Sequence, residues 1–201
     1  MADKIDLQKR HSNEYTATKE PAIVKVAAAQ YLTIDGAGDP GGKHFQDCIG
    51  ALYAIAFTIK MANKLAGRDY HVCKLEGLWW DEDENGKWRW KLMIRTPDFI
   101  KKSDVDIAID ISVGRGRHSL VEEVKLETIK EGTCIQALHV GPYANEAETI
   151  RVMEEVAAEQ GFKLDGRHHE IYLSDPRRVA PEKLRTIIRH QLVRTRYVGF
   201  E

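Results

Sequence analysis

Two histidines and a carboxylate stand side by side in RHHEIYLSDP, residues 167–176. Such a trio could ligate a metal, exchange protons with a ligand, or sit on a strand without chemistry. Alternation narrows the choice, because successive side chains of a strand point to opposite faces. It sends His168, Glu170 and Tyr172 one way and His169, Ile171 and Leu173 the other, with the second set on the core side. A zinc site needs three or four convergent ligands. His168 and Glu170 are two, and no third ligand stands at a helpful spacing, so no metal is expected. Glu170 keeps two readings open. It could face solvent or form a structural ion pair. It could also line an apolar pocket, where desolvation raises a carboxyl pKa and suits it to general acid or base work, or where it attracts a cationic ligand.

The aromatic residues pose the same choice. Trp79, Trp80, Trp88 and Trp90 fall within one predicted hairpin. Adjacent Trp79 and Trp80 face opposite sides of a regular strand. At least two of the four are expected in the core or in cross-strand pairs; any left in a cleft would wall a flat, apolar ligand. In HVGPYANE, residues 139–146, Tyr143 precedes a helix cap, either as a loop anchor or with its hydroxyl at a cleft mouth. The glycine-rich IDGAGDPGG lacks both the GxGxxG spacing and the lysine and hydroxyl of a phosphate-binding loop, so no nucleotide is expected.

The whole chain sets the frame for these residues. Its 201 residues suit one large domain or two small ones. Lys and Arg number 30 against 31 Asp and Glu, a balance that argues against a nucleic-acid binder, although RTIIRHQLVRTR is locally basic. Three cysteines far apart form no CxxC pair and, with a polar start lacking an apolar signal region, imply the cytoplasm. No apolar run approaches the ~20 residues of a membrane span.

Two similar halves must position the candidates. Residues 1–22 read as a polar arm closed by Pro21. AIVKVAAAQYLTIDG is a strand, and residues 43–66 carry apolar side chains at i, i+3, i+4 spacing, a helix that Gly67 ends. YHVCKLEGLWW and KWRWKLMIRT flank an Asn-Gly turn, a β-hairpin signal. The order then recurs: EGTCIQALHVGPY as strand, NEAETIRVMEEVAAEQG as a helix capped by Asn145 and stopped by Gly161, HHEIYLSD as strand, and PEKLRTIIRHQLVR as a helical turn and final strand. Laying KLEGLWWD on HHEIYLSD pairs Glu76 with Glu170 and Asp81 with Asp175. The predicted fold is therefore α+β, a tandem pseudo-twofold repeat of β-α-β-β units over about 23–100 and 120–197, with a ligand cleft between them.

Taken together, YLTIDGAGDP, LEGLWW, IRTPDFI, HVGPYANEAETI and HHEIYLSDPRR resemble the GyrI-like small-molecule-binding domain over about residues 22–197. The resemblance is closest to its stand-alone cyclopropanoid cyclase/hydrolase branch. It implies the effector-binding-domain fold of bacterial transcription activators in a single domain, residues 23–201. It also implies an aromatic pocket for hydrophobic, often cationic or polycyclic compounds, and Glu170 as the central polar group. The stand-alone branch is thought to detoxify DNA-alkylating compounds by adding water across a strained cyclopropane. Many relatives carry an upstream helix-turn-helix; the short segment ahead of this domain is too small for one, which argues against a DNA-binding regulator. On this reading Glu170, Tyr143 and Tyr172 are the catalytic candidates. Trp79, Trp80, Glu76, His139, Tyr53 and Trp90 are the ligand contacts, with no metal or cofactor. The expected partner is a hydrophobic polycyclic small molecule, not a nucleic acid or membrane. The competing expectation is a module that binds such compounds without chemistry, or that binds a protein such as gyrase.

Overall fold

A computed structural model describes residues 4–80, 88–116 and 119–195. The chain divides into two compact units, the first of residues 1–12 and 28–130, the second of residues 13–27 and 131–201.

In the first unit, β2 (Ala29–Ala37), β3 (Glu76–Trp80), β4 (Arg89–Arg95) and β5 (Lys125–Ile129) form an antiparallel sheet in the order β3-β4-β2-β5. One face is covered by α3 (Lys43–Leu65), whose Cys48, Leu52, Ile55 and Ile59 recur at the helical period and are fully or nearly fully buried. Among the described residues α3 is the one helix long and apolar enough by composition to cross a membrane. Its packing is that of a core helix, against Leu32, Ile34, Leu92 and Ile94 of the sheet. Gly67 follows it in the left-handed conformation (φ +80°), which a side chain would disfavour. The β3–β4 pairing confirms the hairpin, from Glu76 opposite Met93 to Trp80 opposite Arg89; its Asn-Gly turn, with Asp81, lies outside the described residues.

The second unit repeats the order. Its sheet is β1 (Ala22–Val26), β6 (Gly132–Val140), β8 (Arg185–Arg194) and β7 (Phe162–Tyr172), antiparallel in the order β1-β6-β8-β7. The amphipathic α5 (Glu146–Glu159) covers one face through Met153 and Ala157, which meet Ile135, Ala137, Ile188 and Leu192. Gly161 follows at φ +76°. Asn145 stands at its N-cap but makes no side-chain capping bond.

Three features depart from the sequence reading. AIVKVAAAQYLTIDG holds two strands, not one: β1 pairs with β6 while β2 pairs with β4 and β5, so the chain changes unit at residues 27–28. The arm carries two helical turns, α1 (Leu7–Arg10) and α2 (Ser12–Tyr15), with Leu7 buried in the first unit and Tyr15 in the second. A further helix, α4 (Lys102–Gly114), starts where the Asp104 carboxylate accepts from the Lys101 backbone N–H at 2.7 Å.

Candidate active site

The helix-side face of β7 carries Glu170. Its cross-strand partner is Ile188, which packs beneath α5. His168 and Tyr172 lie two residues away on either side and share that face. His169 faces the other way, as alternation predicts. From α5 comes a residue the sequence reading used only as part of a helix start. Glu146 is the first residue of α5, and its Oε2 lies 3.3 Å from His168 Nε2; Glu170 Oε1 lies 3.0 Å from the same nitrogen. The other ring nitrogen, His168 Nδ1, is 3.0 Å from His190 Nε2 on β8. The third convergent group that the spacing did not reveal is therefore Glu146, and one donor atom from each of Glu146, His168 and Glu170 lies within 4.8 Å of the others.

The electrostatics fix the protons. Burial alone would pull the His168 pKa down, but the Glu146 and Glu170 carboxylates outweigh it and lift it to about 9. The ring is then an imidazolium: Nε2–H donates to the two carboxylates and Nδ1–H to His190. Burial, with the charge of His168 beside it, lowers His190 to about 4, so it stays neutral and accepts. Burial raises the Glu146 carboxyl to about 7 against the hydrogen bond from His168, and the charge of Glu170 adds to the rise. Glu146 Oε1 is buried and meets no hydrogen-bond partner. A proton on Glu146, donated toward Glu170, would relieve that. Three donors could in principle hold a divalent cation, but a metal would have to displace the imidazolium proton that the two carboxylates retain.

Tyr143, in a 3₁₀ turn (Tyr143–Asn145) just before α5, packs edge-on against Tyr172 with ring centroids 6.0 Å apart. Burial, then the charges of Glu170 and Glu146, push its hydroxyl up to about 12, so it remains a hydrogen-bond donor. His139 holds this turn. Its Nδ1 meets the Thr149 hydroxyl at 2.9 Å and its Nε2–H donates to the Pro142 carbonyl at 3.1 Å. Both ring nitrogens of His139 are thus engaged inside the unit, and its visible role is to position Tyr143 and the start of α5.

The candidates of the first unit behave differently. Trp90 is fully buried; it meets Phe45 edge-on at 5.0 Å, and its ring lies so close to Gly36 that a Cβ there would fall 2.0 Å from it. Trp79, directly opposite Trp90, stacks on Phe45 at 5.7 Å. These two are core residues under α3. Trp80 lies on the other face, half-buried, beside Arg89. Tyr53 stacks on Phe57 of the same helix at 6.1 Å. Trp88 is half exposed.

Glu76 corrects the repeat alignment. It is completely buried, but it sits opposite Met93 on the sheet face turned away from α3, with Leu78, Tyr31 and Met93. Glu170 lies on the helix side of its own sheet. The two-in-eight identity therefore joins residues on opposite faces, since one residue of slip in a strand reverses every side chain. The helix-facing residues of β3 are Gly77 and Trp79.

A GyrI-like small-molecule-binding domain model matches residues 19–192. The chain belongs to the GyrI-like family. A hydrolase from Listeria innocua is similar over 94% of this chain and 100% of its own, at 36% identity and a TM-score of 0.88. A conserved protein from the same organism gives 36% identity and 0.89 over 94% of this chain and 100% of that one. The C-terminal domain of EcmrR shares the fold alone, at 14% identity and a TM-score of 0.56, over 87% of this chain and 98% of its own. None of the curated proteins matches. This GyrI-like chain is thus an α+β member whose likeness to a hydrolase spans nearly its full length.

Proposed function

We propose that this GyrI-like protein is a hydrolase that opens the cyclopropane ring of polycyclic, DNA-alkylating compounds by adding water. The observation that carries the reading is the meeting of Glu170, Tyr143 and Tyr172 on one face, around a carboxylate anchored by His168. The likeness to the Listeria hydrolase supports it. Glu170 accepts a proton from water as the water oxygen bonds to the exposed ring carbon. The breaking C–C bond sends its electron pair into the dienone, whose oxygen gains charge. The Tyr143 hydroxyl, held protonated, donates to that oxygen; Tyr172 backs it. A positioned base is worth ~10²–10⁴-fold in such a step, and a donor aimed at developing charge adds to it. Strain relief and aromatisation provide the driving force. No cofactor takes part: Glu170 moves the proton and His168 anchors it, without a metal. Three buried, unpaired cysteines fit a reducing cytoplasm.

The second reading is a pocket that binds such compounds and leaves them intact; it is favoured by the family's description as small-molecule binding. Incubation with a cyclopropane-bearing alkylator, followed by mass spectrometry, separates the two. Hydrolysis yields product heavier by one water, lost in Glu170→Gln. Tight binding with the compound recovered unchanged leaves only sequestration.

A further inference from the structure

The reaction above uses one carboxylate, and the site holds two. Glu146 is buried (6% exposed), carries a carboxyl oxygen with no partner, and is tied through His168 Nε2 to the base Glu170. Opening a dienone-fused cyclopropane has no task for this second carboxyl beside the base, because the charge emerges on an oxygen across the ring. An acid next to a base serves a different bond: one whose leaving atom is attached to the very carbon that water attacks. Attack is in line, with water on one side of the carbon and the leaving atom on the other, so base and acid must flank the reacting ring, one at each end. One donor atom each of Glu146, His168 and Glu170 lies within 4.8 Å of the others, which puts both carboxyls within reach of one small ring. The imidazolium between the carboxyls holds Glu146 by Oε2 and Glu170 by Oε1, and the second oxygen of Glu146, Oε1, is buried without a partner. His190 fixes the imidazole through Nδ1.

We propose that Glu146 and Glu170 form an acid–base pair that hydrolyses aryl-substituted epoxides to vicinal diols. Glu170 takes a proton from water as the water oxygen bonds to the benzylic carbon. The ring C–O bond breaks and its electron pair stays on the epoxide oxygen, which takes the proton of Glu146. One epoxide and one water give one diol. The proton then returns from Glu170 to Glu146 along the contact between the two carboxyls. No metal, oxidant or reductant is needed. His168 and His190 are positioning residues. A substrate class of this kind suits the ring pair Tyr143–Tyr172 beside the carboxyls, which offers aromatic contact. The inference rests on the base assigned above, Glu170, but not on the cyclopropane substrate.

The test incubates the full chain with trans-stilbene oxide in ¹⁸O-labelled water and follows diol by chromatography and mass spectrometry. One labelled oxygen per diol is expected, with kcat falling as pH rises through about 7, where Glu146 loses its proton. Glu146→Gln is expected to lose ~10²-fold or more in diol formation, while Glu146→Asp recovers part of it. His190→Ala should shift the pH profile as well as the rate. Diol formation no faster than in buffer, with cyclopropane opening intact, overturns the inference and spares the reading above. Diol formation unchanged in a folded Glu146→Gln also overturns it. Loss of both reactions in the wild type sinks both proposals.

Discussion

The two units share an order of elements and differ in what lies between helix and sheet. Beneath α3 the strands present Trp79 and Trp90 to Phe45, and the space is filled with rings. Beneath the start of α5 the corresponding strands present Glu170, His168 and His190 to Glu146. The opposite face of the second unit is also ionic. Arg189 donates to Glu131 Oε2 at 2.9 Å, to Gln136 Oε1 and to the Glu14 carbonyl, while His169 donates to Glu131 Oε1 at 2.8 Å. Burial alone would raise Glu131, but His169 and Arg189 bring it down to about 2. Gln136 reaches the Asn13 and Thr16 carbonyls, so this network holds the arm. The lesson is a division of labour. One copy packs apolar rings between helix and sheet and carries its buried Glu76 and Arg95 on the other face of the sheet. The other keeps buried charge beneath its helix, which is costly unless fully paired and is retained where it organises a segment or a site.

Removing one partner from each unit should test this division at its largest. Trp90→Ala is expected to cost ~3–5 kcal/mol through the cavity it leaves. Arg189→Leu is expected to cost a similar ~3–5 kcal/mol, because the buried Glu131 loses its permanent cation and keeps only His169. Denaturant unfolding measures both. Limited proteolysis then tells them apart: Arg189→Leu should open residues 13–27 to cleavage, and Trp90→Ala should not. Equal protection of the arm in both variants would erase the contrast.

A smaller effect should come from pH. The folded chain holds the Glu146 proton up to about 7 and the His168 proton up to about 9, both above their ordinary values of 4.5 and 6.5. Each therefore contributes stability that is full below the ordinary value and lost as pH rises through the folded one. His190 runs the other way, its contribution present above 6.5 and lost as pH falls toward about 4. Thermal unfolding should show stability falling by on the order of 1–3 kcal/mol between pH 5 and 9. In Glu146→Gln the part of that fall centred near 7 should vanish; a fall of the same size and position would show that the cluster does not govern it.

The smallest effect belongs to the exposed face of α5, where Arg151 bridges Glu148 and Glu155 in water. Arg151→Ala should leave the melting midpoint and the activity where they are, since exposed pairs are screened. A clear loss there would mean that surface charge, and not the buried cluster, distinguishes the second unit.

By itself the sequence determined the period of the main elements and which side chains share a face, but not which face meets the helix: it set Ile171 on the core side, whereas Glu170 lies on the face covered by α5. The 3.6-residue spacing of α3, the hairpin, the recurrence of order and the separation of His168 from His169 are local properties, set by backbone geometry within a few residues. The placement of Glu170 beside Tyr172 follows from the same rule. The sequence did not reveal α4, whose KSDVDIAIDISVG alternates apolar and polar residues like a strand. It also set Glu76 against Glu170, because an alignment of identities does not carry the side of the sheet. Only the tertiary structure decided which residues joined the site. Glu146 lies 24 residues before Glu170, and His190 lies 20 after it in a stretch that reads as merely basic. Nothing in spacing couples them, since the contact is made by packing α5 onto β7 and β8. The same packing sets the protons: the two carboxylates and the imidazole move one another's pKa only once burial has removed the water between them.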